Sequence, residues 1–293
     1  MTDRDSNWVA RLFVGLQYLL PQHALSRLMY RLARVRYAPL KGWMIRAYVR
    51  LVGVDLSQAA QPDLSAYPHL AAFFTRALRP DARPPDPDPA AVLSPVDGTI
   101  SQIGTIADGR IIQAKGHDYS LCDLLGGDTA DHRRFDGGTF ATIYLSPRDY
   151  HRIHMPLAGR LAQMTYLGGR LFSVNRMTAQ QVPGLFARNE RVVCLFGTEA
   201  GPMALVLVGA IFVGGIETVW AGEVAPAGAG PRCRRWDYTD QVPPLHLERG
   251  AEMGRFNLGS TIVLLFPPSA VTWDATLAPG QTVRLGQRIG TRA

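Results

Sequence analysis

Lysine is nearly absent from the sequence. Of the 31 basic residues only Lys41 and Lys115 are lysines, and all others are arginines. A pyridoxal phosphate enzyme needs a lysine for its internal Schiff base, and a lipoyl or biotinyl carrier needs one at a hairpin tip. Lys115 is the one lysine beyond the N-terminal segment, and the closing hairpins have none. Both classes of protein are therefore disfavoured.

Cysteine is also scarce, and long apolar runs are absent. Cys122, Cys194 and Cys233 form no CxxC pair, so neither a disulfide framework nor a zinc site is predicted. The apolar stretch at residues 12 to 20 is too short to span a bilayer, and no later stretch is long enough. The GxSxG motif of α/β-hydrolases is missing as well.

Positive charge is concentrated at the N-terminus. Residues 1 to 50 contain nine basic residues against Asp3 and Asp5, and the rest of the chain holds 22 residues of each sign. The net charge of +7 therefore belongs to this segment alone. A basic segment of this kind suits an anionic partner, either phospholipid headgroups or nucleic acid.

The same segment has helical periodicity from Pro21 onward. Apolar side chains recur on one face and arginines on the other; the apolar residues are Leu25, Leu28, Met29, Leu32 and Val35, and the basic ones are Arg27, Arg31 and Arg34. This pattern favours a helix in a membrane interface over a helix packed on its own domain with a solvated basic face. Nucleic acid is not an expected partner, because no mixture of aromatic and basic residues continues beyond this segment.

Three regions are predicted along the chain. Residues 1–60 form a basic amphipathic helical membrane-docking segment, residues 61–90 hold a helix at 68 to 78 and a Pro-rich linker, and residues 91–293 form a β-rich domain. Strands are expected at residues 99–103, 110–113, 139–145, 161–167, 191–196 and 203–213, with a hairpin at Asp108-Gly109. Glycine spacing near the C-terminus resembles that of biotinyl/lipoyl barrel-sandwich folds. The fold class is therefore α+β, with a mainly antiparallel barrel-sandwich-like domain after N-terminal amphipathic helices.

Two segments carry candidate acid and base residues. Asp97 stands in Ser-Pro-Val-Asp-Gly just before a predicted strand, where an ordinary Asp-Gly turn is the alternative. His151 and His154 follow Ser146-Pro147, a pattern that predicts a short helical turn with both histidines on one side. Metal ligation, a pair of ordinary histidines and acid/base work all stay open for them.

Gly259 and Ser260 precede the apolar run at residues 262 to 266, which predicts a loop that enters a strand buried on both faces. A plain turn is the alternative. Gly259 has no Cβ, so its carbonyl carbon is sterically open to the hydroxyl one residue downstream. Asp97, His154 and Ser260 would together supply an orienting acid, a base and a nucleophile.

Three motifs, Ser94-Pro-Val-Asp-Gly98, Tyr150-His-Arg-Ile-His-Met-Pro156 and Leu258-Gly-Ser-Thr261, occur in this order. Together they resemble the bacterial phosphatidylserine decarboxylase proenzymes, from about residue 91 to the C-terminus and with no departure at the motif positions. The basic N-terminus suits the membrane-attached β chain of that family.

The resemblance implies self-cleavage between Gly259 and Ser260. The Ser260 hydroxyl would attack the Gly259 carbonyl, with His154 as base oriented by Asp97. The products would be a β chain, residues 1–259, and an α chain, residues 260–293, whose first residue becomes a pyruvoyl group. Neither pyridoxal phosphate nor a metal ion is implied.

The resemblance also implies the reaction. Phosphatidylserine would form a Schiff base with the pyruvoyl group, lose carbon dioxide and leave as phosphatidylethanolamine, with His151 as the proton donor and Tyr150 and His117 as weaker candidates. The expected assembly is a homodimer of αβ units, attached peripherally to the cytoplasmic face of the inner membrane through its anionic surface. The alternatives are a serine hydrolase that uses Asp97, His154 and Ser260, and a non-enzymatic barrel-sandwich membrane-binding module.

Overall fold

The computed structural model describes residues 3–114, 116–127, 131–212, 215–225, 233–257 and 260–293. Lys115 and Gly259, both singled out above, lie outside the described residues. Helices at the N-terminus precede a set of antiparallel sheets, which confirms the predicted class. The sheets are not closed into a barrel.

Three helices form the N-terminal region, and short helices follow. The helices are α1 (Asp3–Leu19), α2 (Gln22–Ala33), α3 (Ala38–Val52), α4 (Leu70–Phe74), α5 (Leu121–Leu125), α6 (Arg176–Ala179) and α7 (Leu185–Arg188), with 3-10 turns at Leu64–Ala66 and His132–Arg134. Pro39 lies in the first turn of α3, where its missing N–H costs no hydrogen bond, and Gly53 ends that helix in a left-handed conformation. Among the described residues, no helix combines the length and the apolar character needed to cross a membrane.

The first two helices turn polar side chains toward the protein. Gln17 of α1 accepts a hydrogen bond from the Ser173 N–H at 2.8 Å, and Gln22 of α2 accepts one from the Leu171 N–H at 2.9 Å. In contrast, Leu28 and Leu32 of α2 are 54% and 40% exposed. Both helices therefore expose large apolar side chains, unlike an ordinary surface helix, while Val14 of α1 is buried.

Eighteen strands follow in the remainder of the described chain. They are β1 (Ala91–Leu93), β2 (Gly98–Thr105), β3 (Arg110–Ala114), β4 (His117–Ser120), β5 (Thr139–Leu145), β6 (Arg152–His154), β7 (Gly159–Leu167), β8 (Arg191–Thr198), β9 (Gly201–Gly209), β10 (Ile216–Thr218), β11 (Gly222–Ala225), β12 (Cys233–Asp237), β13 (His246–Leu247), β14 (Glu252–Phe256), β15 (Ser260–Phe266), β16 (Val271–Trp273), β17 (Thr282–Val283) and β18 (Arg288–Arg292). Their order along the largest sheet is β12-β7-β8-β9-β15-β5-β2-β17, with β13 beside β7. A smaller sheet has the order β11-β10-β14-β6.

Strand β15 is the buried strand that the apolar run predicts. It pairs with β5 on one side and β9 on the other, and all of its residues are buried. Ile262 and Leu264 belong to one hydrophobic cluster, and Val263 and Leu265 belong to a second. Because side chains alternate across a sheet, each face of β15 is covered by a separate core.

The helix expected at residues 68 to 78 is wrong in length. Helix α4 ends at Phe74, and residues 77 to 79 pair with residues 58 to 60 instead. The Ala60 N–H donates to the Ala77 carbonyl, and the Arg79 N–H donates to the Gln58 carbonyl, both at 2.9 Å. These pairings draw the chain into an extended conformation, which a longer helix would prevent.

The hairpin turn predicted at Asp108-Gly109 is confirmed, but its ladder is short. Both residues have positive φ, at 52° and 64°, as expected from this dipeptide. Across the turn, Ala107 and Arg110 exchange two backbone hydrogen bonds at 2.9 and 3.2 Å. Beyond this pair, β2 pairs with β5 and β17, and β3 pairs with β4.

The buried carboxyl of Glu190 should make stability depend on pH. Glu190 accepts a hydrogen bond from the Tyr166 hydroxyl at 2.8 Å, and burial raises its pKa from 4.5 to about 7. The folded protein therefore holds a proton that the unfolded chain releases between these pH values, so folding weakens as pH rises through this window. The Glu190→Gln variant has no carboxyl at this position to ionise, so its folding stability does not fall in this way. Urea unfolding should show the variant gaining up to roughly 3 kcal/mol relative to wild type between pH 4 and pH 8.

A pH-independent difference between the two proteins would contradict this prediction. The Tyr166→Phe variant is the matched control, because it removes the hydrogen bond but keeps the buried carboxyl. It should retain the fall in stability with rising pH.

Candidate active site

Ser260 occupies the first position of β15, at an edge of the sheet where several strand ends meet. It lies opposite Leu145, the last residue of β5, and opposite Gly209, the last residue of β9. The side chain is fully buried, and its hydroxyl has no hydrogen-bond partner among the described residues. A buried hydroxyl without a partner is costly. The neighbouring Thr261 shares this state, and what distinguishes Ser260 is that it directly follows Gly259 in the chain.

Asp97 stands at the same edge. It directly precedes β2, whose Thr99 lies opposite Tyr144 of β5. Gly98 permits this close approach, because a Cβ there would lie 2.6 Å from the Tyr144 carbonyl oxygen. The glycine of the Asp-Gly pair thus serves strand packing, and it places the carboxylate near the end of the sheet that holds Ser260.

The turn after β5 leads to His151. Within this turn, the Ser146 N–H donates to the Asp149 carboxylate at 2.7 Å, and the Asp149 N–H donates to the Ser146 carbonyl at 2.9 Å. These two bonds close a tight turn, after which the chain becomes extended as β6. The predicted helical turn with both histidines on one side is therefore wrong: His151 and His154 are three residues apart in extended chain, where such residues point to opposite sides.

His151 is fully buried against Phe74 of α4. The two ring centroids are 4.0 Å apart, and His151 Nδ1 lies 2.9 Å from the Asp149 carbonyl oxygen. Since a carbonyl only accepts, Nδ1 carries the proton, and Nε2 keeps a lone pair that has no partner among the described residues. Burial lowers the pKa of His151 to about 3, so the ring is neutral at physiological pH.

His154 is held at both nitrogens. Nδ1 lies 2.8 Å from the Gly250 carbonyl and donates to it, and Nε2 accepts from the Tyr150 hydroxyl at 3.1 Å. Burial is the largest influence on its pKa and lowers it, whereas the Gly250 carbonyl, the charge of Glu252 and, to a smaller extent, the charge of Asp97 act in the opposite direction. The imidazole is therefore neutral, fixed in one tautomer, and equipped with a basic Nε2.

The Asp97 carboxylate bonds to other groups. Arg83 donates to its two oxygens at 2.8 and 2.5 Å, and the Leu285 N–H donates at 2.8 Å. Among the hydrogen bonds of the described residues, none joins Asp97 to His154. The two are nevertheless close, because the His154 N–H donates to the Pro95 carbonyl at 2.9 Å. Asp97 thus acts on His154 through its charge in this structure.

A cavity of about 240 Å³ opens beside these groups. Its walls include Tyr150, His154, Arg83, Gly250 and Leu285. The histidine and the arginine partner of Asp97 therefore border one space. Within the described ranges, no cluster of three His, Cys, Asp or Glu residues is placed to hold a metal ion.

Sequence reasoning missed two arginines next to the site. Arg83 lies in the Pro-rich stretch that we interpreted as a linker, and Arg76 lies in the segment that we interpreted as a helix. Both belong to the short run Arg76 to Arg83, in which three arginines stand close together. This density of arginines, in a segment with few acidic residues, is the one feature of the sequence that could have identified them as site residues.

Comparison with known proteins gives two family matches. A family model described as phosphatidylserine decarboxylase matches residues 70–291, and a second, described as PSD, matches residues 12–51. Among curated proteins, a phosphatidylserine decarboxylase proenzyme of Azotobacter vinelandii is 57% identical over 282 residues, which covers 96% of this chain and 98% of that protein. The proteins of the same name from Pseudomonas fluorescens and Pseudomonas putida are 58% and 56% identical, over 96% and 97% of this chain and 97% and 99% of their own lengths.

Proposed function

Because the chain belongs to the phosphatidylserine decarboxylase family, we propose that it converts phosphatidylserine into phosphatidylethanolamine and carbon dioxide, with a pyruvoyl group made from its own Ser260. The observation that carries this proposal is the Ser260 hydroxyl. It is fully buried, it has no hydrogen-bond partner among the described residues, and it directly follows Gly259 in the chain. A serine hydrolase would instead need its nucleophile open to an external substrate.

The chain is first cut by its own serine. Ser260 Oγ attacks the Gly259 carbonyl, and the peptide C–N bond breaks as the ester forms. Loss of the Ser260 Cα proton then expels the Gly259 carboxylate and leaves dehydroalanine. Its tautomer takes up one water and releases ammonia, which gives the ketone. The balance is one water consumed, one carboxylate and one pyruvoyl group formed, and one ammonia lost.

His154 is the base for the serine proton. Its neutral state and its fixed tautomer leave Nε2 able to accept that proton once the Tyr150 hydroxyl gives way. Asp97 stabilises the imidazolium that forms, since its charge favours the protonated ring. Hydrogen bonds from Arg83 and the Leu285 N–H hold the Asp97 carboxylate in place.

Position 260 fits a pyruvoyl group. Conversion removes a hydroxyl that makes no hydrogen bond with the described residues, so no such bond is lost. A pyruvoyl group supplies a ketone that condenses with a primary amine and an electron sink for the loss of carbon dioxide. Such a carbonyl needs no lysine of the protein, because the substrate supplies the amine. This suits a chain that contains only two lysines.

His151 is our candidate for the group that protonates the carbon after carbon dioxide has left. In the free protein its ring is neutral, with a lone pair on Nε2, and burial lowers its pKa to about 3. The anionic substrate therefore has to raise this pKa before Nε2 can hold the proton that it delivers. Tyr150, which is already bonded to His154, is less suited to this role.

The N-terminal helices carry the enzyme to its substrate. Most of the exposed large apolar side chains lie between residues 8 and 51. Arg27 and Arg31 are exposed beside Leu28 and Leu32 on α2, so basic and apolar groups face the same surroundings. We assign this surface to the cytoplasmic face of the inner membrane. The mature enzyme is a homodimer of αβ units.

Self-cleavage can be tested from the chain composition of the protein. Intact mass of the purified protein should show two chains, residues 1–259 and the 34 residues from 260 to 293, with a ketone at the α N-terminus. Ser260→Ala should stay a single chain of 293 residues. Thr261→Val is the matched control, because Thr261 is also buried with an unpartnered hydroxyl. It should be cut as wild type is. Active protein that remains uncut would falsify the proposal and favour the hydrolase.

The two histidines should separate cleavage from turnover. His154→Ala should accumulate as uncut precursor, since it lacks the base. His151→Ala should be cut, and then lose about 10²- to 10⁴-fold in decarboxylation, the usual contribution of a positioned acid or base. Gel electrophoresis shows whether each variant is cleaved, and carbon dioxide release measures its rate of decarboxylation. Normal cleavage in His154→Ala, or unchanged turnover in His151→Ala, contradicts the respective role.

Membrane docking can be tested with point substitutions. The Leu28→Glu, Leu32→Glu double variant should bind vesicles of phosphatidylglycerol and phosphatidylethanolamine at least tenfold more weakly, because burial of each leucine contributes about 1.5–3 kcal/mol. Ile112→Glu is the control, since Ile112 is equally exposed but lies on β3. Vesicle sedimentation measures the membrane binding of the double variant and of the control. Equal binding of the double variant and the control would refute docking through α2.

A further inference from the structure

Three hydrogen bonds hold the segment that precedes the cleavage position. The Phe256 N–H donates to the His151 carbonyl at 3.0 Å. The Asn257 N–H donates to the Gly215 carbonyl at 3.0 Å, and the Asn257 side chain donates through Nδ2 to Glu217 Oε1 at 2.8 Å. Only two residues separate Asn257 from the proposed nucleophile. The chain is therefore anchored shortly before the peptide bond that breaks in the proposed cleavage.

Glu217 is the side chain that makes one of these anchors. It lies on β10, opposite Arg255 of β14, and its second oxygen, Oε2, is 3.3 Å from Arg255 Nε. Its first oxygen accepts from Asn257, which is 3% exposed. A buried amide needs hydrogen-bond partners, so Asn257 depends on this carboxylate in a way that an exposed side chain would not.

The backbone is built to bring Glu217 close to this segment. A Cβ on Gly254 would lie 2.3 Å from the Glu217 carbonyl oxygen, so the approach of β10 to β14 requires a glycine there. On its other side β14 pairs with β6, where Glu252 lies opposite His154. The segment before the cleavage position therefore continues a strand that lies between the strand of Glu217 and the strand of the proposed base.

A neighbouring glutamate shows what an ordinary surface ion pair looks like here. Glu223 lies on β11, and its hydrogen bonds within the described chain come from Tyr30 and Arg34 of α2. Exposed pairs of this kind contribute little to stability. Glu217 also lies near Arg34, at 4.0 Å, but it differs from Glu223 in accepting a bond from the buried Asn257.

We propose that Glu217 is a positioning residue for self-cleavage, and that it acts through Asn257. This inference rests on the function proposed above. Attack of a hydroxyl on a carbonyl requires aligned atoms, and a misplacement of about 1 Å can slow a reaction about 10²-fold. The β15 ladder holds Ser260 on one side of the breaking bond. The bond between Glu217 and Asn257, which is charge-assisted and therefore strong, holds the chain on the other side.

The test measures the rate of self-cleavage in the full chain. Each protein is pulse-labelled in a cell-free translation system, and gels resolve the uncut chain from residues 1–259. Glu217→Ala is compared with Glu223→Ala, the matched control, because the two side chains are 25% and 28% exposed and both face Arg34. Carbon dioxide release per cut chain then measures turnover separately from cleavage.

A second set of variants exchanges the donor and the acceptor of the bond. Glu217→Gln keeps an oxygen that can accept from Asn257. Asn257→Asp places a second carboxylate against Glu217, so the bond is replaced by repulsion. The double variant Glu217→Gln, Asn257→Asp restores a bond of reversed direction, because the amide at position 217 donates to the carboxylate at position 257.

Glu217→Ala and Asn257→Asp should cleave at least tenfold more slowly than wild type, because the segment before the bond loses its side-chain anchor. Glu217→Gln and Glu223→Ala should stay within about threefold of wild type, and the double variant should return to that range. Turnover per cut chain should change less than about threefold in all of them, since the proposed role ends with cleavage.

Three results would overturn the assignment. The first is wild-type cleavage in Glu217→Ala, and the second is a double variant that cleaves no faster than Asn257→Asp. The third is an equal fall in cleavage and in turnover per cut chain, which indicates general damage to the fold. If Glu217→Ala does not fold, the comparison of Asn257→Asp with the double variant decides alone. Failure of wild type to cleave would instead reject the proposed function.

Discussion

The burial of Ser260 at the head of a strand bonded on both sides is the constraint on which the rest of the structure depends. The six residues after it pair with β5, and most also pair with β9, within two hydrophobic clusters. A cut before Ser260 therefore breaks the chain without releasing the segment, because the ladder and the apolar contacts stay intact. In the proposed cleavage, the same burial surrounds the new terminus with protein.

The electrostatics of the site follow from that burial. Both histidines have a lowered pKa, chiefly because burial disfavours the charged ring, and each donates Nδ1–H to a backbone carbonyl. Each ring therefore offers Nε2 as a base, and its Nδ1 is hydrogen-bonded to a backbone carbonyl instead of a carboxylate. The acidic residue of the site, Asp97, is balanced by Arg83. The protein thus keeps neutral bases next to paired charges.

The sequence predicted those features that are local or strictly periodic. Strand β5 has the expected bounds, and the buried character of β15 follows from its uninterrupted apolar residues. The errors concern pairing. Asp108-Gly109 makes the expected turn, yet only Ala107 and Arg110 pair across it, and β2 pairs mainly with β5. Likewise, the turn at Ser146 ends in a strand because Asp149 closes it and β14 pairs with β6. Such choices depend on contacts between residues far apart in sequence.

The N-terminal helices belong to the body of the protein and are not a tethered arm. Arg34, at the end of α2, lies 3.4 Å from Glu223 and 4.0 Å from Glu217. Glu217 also accepts a hydrogen bond from the Asn257 side chain at 2.8 Å, two residues before Gly259. One carboxylate thus contacts both the end of α2 and the segment that precedes Gly259. The proposed function requires a lipid to pass from the surface of α2 to Ser260, and these contacts tie the two regions together.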